Sequence, residues 1–145
     1  MRNKGLLRIL CISFALCMFA TFVSCKKNDK HAFGKDVTTL VMHITVDNRD
    51  SAYNSLKNAF TEEEFDTRYD KWRQMLGNAP SVTTKMISYN TSSDGDVEIT
   101  ECSLGVYTPS GNFIVSAVKR SDVEGFSSFS LEPDVNNSLP EYEED

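Results

Sequence analysis

The sequence predicts an α+β domain in which an antiparallel sheet of four to five strands packs on two N-terminal helices, in the order β-α-α-β-β-β-β. Two patterns support this prediction. Apolar residues recur at three- and four-residue spacing between residues 53 and 76, and β-branched segments separated by turn residues follow from residue 82. The connections between the later segments are short, which is typical of antiparallel neighbours.

The first predicted element is a strand over residues 37–46. In its sequence, VTTLVMHITV, apolar side chains occupy alternate positions and β-branched residues are frequent. A helical alternative exists, with an apolar stripe formed by Val37, Leu40, Val41 and Ile44. It is less favoured because Thr and Val lose side-chain freedom in a helix.

Two helices are predicted next. The segment DNRDS at 47–51 offers turn and N-cap residues for a short first helix. Thr61 and Glu64 have the spacing of a capping box, which predicts the start of a second helix. Its apolar stripe has the helical spacing of four, three and four: Phe65, Tyr69, Trp72 and Leu76. Gly77 then ends it.

The remaining strands are separated by turn signals. Asp94-Gly95 predicts a hairpin turn, and a second turn is expected at 108–112. Between them the apolar positions change faces near Thr100, which predicts a bulge there. The segment 112–120 is apolar on both faces, as in a central strand, and the last strand passes through Phe129.

Charge distinguishes the N-terminus from the rest of the chain. The first 24 residues contain three of the 15 cationic residues and none of the 21 acidic ones, so the remaining chain carries a formal charge of −9. This excess disfavours a nucleic-acid partner, since phosphate binding needs clustered Lys and Arg. One domain is predicted at 37–132, and the acidic segment 133–145 is expected to be a disordered tail.

The N-terminus has a basic stretch, an apolar run and then Phe22-Val23-Ser24-Cys25. This order resembles the lipobox signal of bacterial lipoproteins. The resemblance implies that residues 1–24 are a signal peptide, that cleavage separates Ser24 from Cys25, and that Cys25 carries the diacylglycerol and fatty acyl (palmitate) groups. Residues 25–36 would then be a flexible tether, and the expected location is the outer membrane, facing the periplasm or the cell surface.

No recognisable catalytic constellation, cofactor motif or metal-ligand spacing occurs, which predicts a protein that is not an enzyme and has no cofactor. Two short motifs have alternative interpretations. Asp94, Asp96 and Glu98 form either a turn or a calcium site. Asp50-Ser51-Ala52 is similar to a bacterial O-glycosylation pattern with Ser51 as acceptor, but Asp50 or Ser51 also suits a helix N-cap.

The element order resembles the cystatin-like and NTF2-like groups of folds, in which a curved sheet wraps a helix. The first hypothesis is a membrane-anchored, non-catalytic binding or accessory module of the cell envelope. The alternatives are a small-ligand carrier or enzyme with a pocket between sheet and helices, and a structural or surface-assembly subunit. If the second sheet face is open, Tyr89, Tyr107 and Phe113 are expected to form an apolar patch there. Cys102 is expected to be a buried apolar residue.

Overall fold

A computed structural model of the chain describes residues 29–79 and 81–141. The chain divides into two compact units, Met1–Phe33 and Gly34–Asp145. Of the first unit only residues 29–33 are described, and they are helical. The account below concerns the second unit.

The α+β class and the antiparallel sheet are confirmed. The described residues contain three helices followed by four strands in the spatial order β1-β2-β3-β4, each antiparallel to its neighbour. The elements are α1 (29–45), α2 (Arg49–Leu56), α3 (Glu62–Leu76), β1 (Thr83–Asp94), β2 (Val97–Thr108), β3 (Gly111–Arg120) and β4 (Ser128–Pro133).

The predicted strand at 37–46 is wrong, because this segment belongs to helix α1. The four residues of the helical alternative are at most 1% exposed: Val37, Leu40, Val41 and Ile44. Val46, which the strand pattern would bury, is 59% exposed. The threonines are accommodated because Thr38 and Thr39 donate hydrogen bonds to the carbonyl oxygens of the preceding turn. Residues 29–36, part of the predicted tether, are also helical.

The starts of α2 and α3 show how local sequence determines a helix end. In α3 both hydrogen bonds of the capping box between Thr61 and Glu64 are present, and the predicted stripe from Phe65 to Leu76 is buried. In α2 the N-cap is Asn48, whose side chain accepts from the Ser51 amide. The expectation that Asp50 or Ser51 is the cap is therefore wrong.

The helices cover one face of the sheet, and the core lies between these two layers. The indole of Trp72 meets the ring of Phe129 edge-on at a centroid distance of 5.0 Å. The hydroxyls of Thr38 and Thr84 lie 2.8 Å apart and join α1 to β1. The largest fully buried side chains are all apolar and come from both layers: Phe65, Leu40, Ile44, Leu56, Leu76, Val37, Val41, Val106 and Val115.

Two details of the sheet differ from expectation. The register of β1 against β2 shifts between Met86 and Ser88, so the bulge lies in β1 and not near Thr100. The extra residue, Ile87, is 52% exposed. The β2–β3 register is regular, so Ile99 projects from the same face as Gly105 and Tyr107, opposite the helices, and is half-buried there.

The expectation of a disordered tail from residue 133 is wrong for residues 133–141. Pro133 ends β4, and the next residues return across the outer sheet face, the one opposite the helices. There Leu139 is 9% exposed and lies over Gly105, where an added Cβ would be 2.9 Å from its Cδ2 atom. Low apolar content did not prevent ordering, because Leu139 alone packs into the space above Gly105, which any larger residue at that position would fill. We call residues 134–141 the C-terminal latch.

Candidate functional site

A depression of about 520 Å³ lies at one end of the sheet, within the size range of ligand sites. Three parts of the chain meet there: the start of β1, the β2–β3 turn and the C-terminal latch. Polar and apolar atoms share its surface about equally, and six of its seven lining residues have a polar side-chain group: Ser81, Thr83, Tyr107, Thr108, Pro109, Asn112 and Glu141.

Strand register places three of these side chains in one row. Thr83 is the partner of Tyr107 across β1 and β2, and Tyr107 is the partner of Asn112 across β2 and β3. Cross-strand partners project from the same face, so these side chains are neighbours on the outer face. The row therefore depends on the pairing of three strands.

The turn beside this row is fixed by its own polar groups. The Thr108 hydroxyl accepts from the Ser110 amide at 3.2 Å and donates to the Gly111 carbonyl at 3.0 Å. The Ser110 hydroxyl donates to the carbonyl of Leu76 at 2.7 Å, which ties the turn to the end of α3. This wall of the depression is consequently joined to the helical layer.

The C-terminal latch supplies the third wall. The Asp134 carboxylate accepts three hydrogen bonds, from the Ser138 amide and hydroxyl and from the Leu139 amide, at 2.7–2.9 Å. These donors lower the pKa of Asp134, with the Ser138 hydroxyl as the largest cause. The Tyr107 hydroxyl donates to the Pro140 carbonyl at 3.1 Å. Together these contacts hold Glu141 at the edge of the depression.

Four lining side chains carry hydrogen-bonding groups that other residues of the described chain do not use. The side chains of Thr83, Asn112 and Glu141, like that of Ser81, make no hydrogen bond to another residue within 29–79 and 81–141. Each is partly or fully exposed. Hydroxyl, amide and carboxylate groups therefore face the depression together, and both donors and acceptors are present.

The calcium hypothesis is not supported by the geometry. Asp94 ends β1, Asp96 lies in the hairpin turn and Glu98 lies in β2, and all three are exposed. Across the described segments no group of three or more His, Cys, Asp or Glu side chains is placed to hold a metal ion. Gly95 has φ +62°, so the turn explains the Asp-Gly pair.

The other predicted sites lie apart from the depression. Ser51 is in the first turn of α2, where the side chain of Asn48 accepts a hydrogen bond from its backbone amide. Ser24 and Cys25 lie outside the described residues. None of the described helices is long and apolar enough to cross a membrane.

The expected aromatic patch is wrong. Phe113 is buried in the core, whereas Tyr107 projects from the opposite face and is covered by the C-terminal latch. Tyr89 pairs with Cys102, on the face that the helices cover. The three rings therefore do not share a surface. Burial also raises the pKa of the Cys102 thiol to about 12, which keeps it protonated at neutral pH.

No protein-family model matches the chain, and the comparisons with curated proteins and with solved structures find no match. Sequence reasoning did not identify the depression. The turn at 108–112 was predicted, but the return of the C-terminal latch to it was not.

Proposed function

We propose that the protein is a lipid-anchored, non-catalytic binding module of the bacterial cell envelope. The lipid anchor is supported by the order of the N-terminal sequence, which is a basic stretch, an apolar run and then Ser24-Cys25. More than one acyl chain on Cys25 would give stable membrane attachment, which a single chain does not.

The folded unit supports a binding role through the depression at the sheet end. The helix–sheet interface, where an alternative hypothesis put a pocket, is filled by apolar side chains such as Phe65, Leu40 and Val115. Unused polar groups are instead found on the surface, at Thr83, Asn112 and Glu141. A surface site of this kind suits an accessory module that recognises a ligand without transforming it.

The experiment is metabolic labelling with an alkyne analogue of palmitate in a bacterium that processes lipoproteins. We expect label on the wild-type chain and none on Cys25→Ala. The Cys25→Ala protein should also be lost from the membrane fraction. Cys17→Ala is the matched control, since Cys17 lies within the apolar run, and it should be labelled normally. Labelled, processed Cys25→Ala protein would contradict the proposal.

A surface-assembly subunit is a second candidate because β1 is a twelve-residue edge strand. Its far side pairs with no other strand of the described chain. Edge strands can recruit another chain, although the bulge at Ile87 and the exposed Lys85 oppose this. Analytical ultracentrifugation of the detergent-extracted protein tests the idea: concentration-dependent growth supports it, and a monomer at every concentration rejects it.

A further inference from the structure

We propose that the depression at the sheet end binds carbohydrate, through the hydroxyl of Thr83, the amide of Asn112 and the carboxylate of Glu141. This inference rests on the proposed function, because it names the ligand class of the binding module. It is carried by the convergence of three polar side chains from β1, β3 and the C-terminal latch at one open surface.

The chemistry of the lining selects among ligand classes. None of the seven lining residues is cationic, so phosphate and sulfate groups would meet no positive partner and would be repelled by Glu141. Apart from Pro109, no lining residue has a wholly apolar side chain, and Tyr107 is only 7% exposed. A purely apolar ligand would therefore leave the polar groups of the lining unpaired. Neutral sugars fit better, because each sugar hydroxyl both donates and accepts, as do the amide and hydroxyl groups present.

Geometry favours a sugar over a peptide. Two common modes of peptide recognition add a strand along a sheet edge or place apolar side chains in pockets. The row from Thr83 to Asn112 instead runs across three strands, over side chains and not along an edge. The Asn112 amide offers two donors and an acceptor, and the Glu141 carboxylate beside the row offers two acceptor oxygens, so each can bond more than one sugar hydroxyl.

The latch makes the site a composite one. Glu141 reaches the depression only because the Asp134 hydrogen bonds and the contact of Leu139 with Gly105 hold the preceding residues in place. Glu141 contacts the ligand in this proposal, whereas Asp134 and Leu139 are positioning residues. Loss of positioning should weaken binding without removing the groups on the sheet.

The test is ligand-observed NMR titration of the detergent-extracted, full-length protein. The probes are N,N′-diacetylchitobiose and cellobiose, with trialanine as the peptide probe. We expect saturable binding of at least one disaccharide in the millimolar range and none of trialanine. Asn112→Ala and Glu141→Gln should each weaken binding by about five-fold or more, the effect of one lost hydrogen bond.

Asn90→Ala and Glu98→Gln are the matched controls, because both residues are exposed on the same sheet away from the depression. They should leave the affinity within about two-fold of wild type. Disaccharide binding that Asn112→Ala and Glu141→Gln do not change overturns the proposal, as does the absence of saturable disaccharide binding. Binding of trialanine and of neither disaccharide overturns the carbohydrate proposal, but it is consistent with the proposed function as a binding module. Failure of palmitate labelling at Cys25 would contradict the anchor alone.

Discussion

At the scale of single residues, Gly125 and Gly95 distinguish the free-energy cost of a left-handed backbone from the cost of a steric clash. Both have positive φ, but only Gly125 lies close to another segment. Gly125 has φ +75°, and an added Cβ would lie 2.6 Å from the carbonyl oxygen of Ser55. That oxygen already accepts from the Phe126 amide at 2.9 Å. Gly125 thus lets the β3–β4 connection reach the end of α2, and a side chain there would push the two segments apart.

We therefore expect Gly125→Ala to lower the free energy of unfolding by about 2–4 kcal/mol, from left-handed backbone strain and the clash together. Gly95→Ala is the matched control. Its φ is +62°, but nothing lies within 4 Å of an added Cβ, so only the strain of about 1–2 kcal/mol remains. Urea denaturation followed by circular dichroism measures both. Equal losses in the two variants would show that the close approach at Ser55 has no energetic weight.

Asp134 gives the C-terminal latch a dependence on pH. Because its hydrogen bonds lower the pKa in the folded state, the carboxylate stabilises the latch fully above the unfolded carboxyl pKa of about 3.9. This contribution is lost as pH falls through the lower folded value. We expect hydrogen exchange at the Leu139 amide to show protection that decreases in that acidic range.

Asp134→Asn should remove most of this protection at all pH values. The carboxylate accepts three hydrogen bonds on two charged oxygens, whereas an amide is uncharged and has only one accepting oxygen. Asp96→Asn, at the exposed turn between β1 and β2, is the control and should leave Leu139 unchanged. If Leu139 exchanges at the same rate in wild type and Asp134→Asn, the carboxylate does not organise the latch.

At the scale of elements, what the sequence could predict depends on how local the determining contacts are. Helix α3 was predictable because Thr61 and Glu64 lie within one turn and its apolar stripe is regular. The identity of α1 was not, since alternation and helical spacing both fitted the segment. The choice was made by burial against the sheet, where the Thr38 hydroxyl lies close to that of Thr84.

The candidate site was less predictable for the same reason. Thr83 and Asn112 lie on either side of Tyr107 only because of the register of three strands, and the bulge in β1 shifts the β1–β2 part of that register. Glu141 joins them because Leu139 occupies the space left by Gly105. No sequence pattern joins these distant residues, and the acidic composition of the last residues indicated disorder instead.

Helix α1 can be tested with two valines that the helix and strand patterns treat oppositely. Val41 is fully buried and Val46 is 59% exposed, whereas an alternating strand would bury Val46 and expose Val41. We expect Val41→Ala to cost about 1.5–3 kcal/mol of unfolding free energy and Val46→Ala less than about 0.5. Urea denaturation measures both, and the reverse order would restore the strand.

At the scale of the whole molecule, Cys102 reports on global unfolding. Cys102 is 3% exposed within the core that the sheet and helices share. Burial raises the pKa of its thiol, and the positive charge of Lys119, which lowers that pKa, does not offset the effect. Cys102 is the only cysteine after Cys25. In the mature protein that we propose, residues 1–24 with Cys11 and Cys17 are removed and Cys25 is acylated, which leaves Cys102 as the single free thiol. This thiol becomes accessible to a reagent when the core opens.

We expect an alkylating reagent to label the native membrane-extracted protein far more slowly than the same protein in urea. Since the folded pKa of about 12 exceeds the unfolded value, this thiol stabilises the fold fully below about pH 8.5, and its contribution decreases as pH rises above that. The labelling rate should therefore rise with pH more steeply than thiolate formation in an unfolded peptide predicts. Cys102→Ala, which should show no labelling, verifies the assignment. Native labelling as fast as in urea would mean that the core around Cys102 is open, and this would contradict the packing between helices and sheet on which the fold depends.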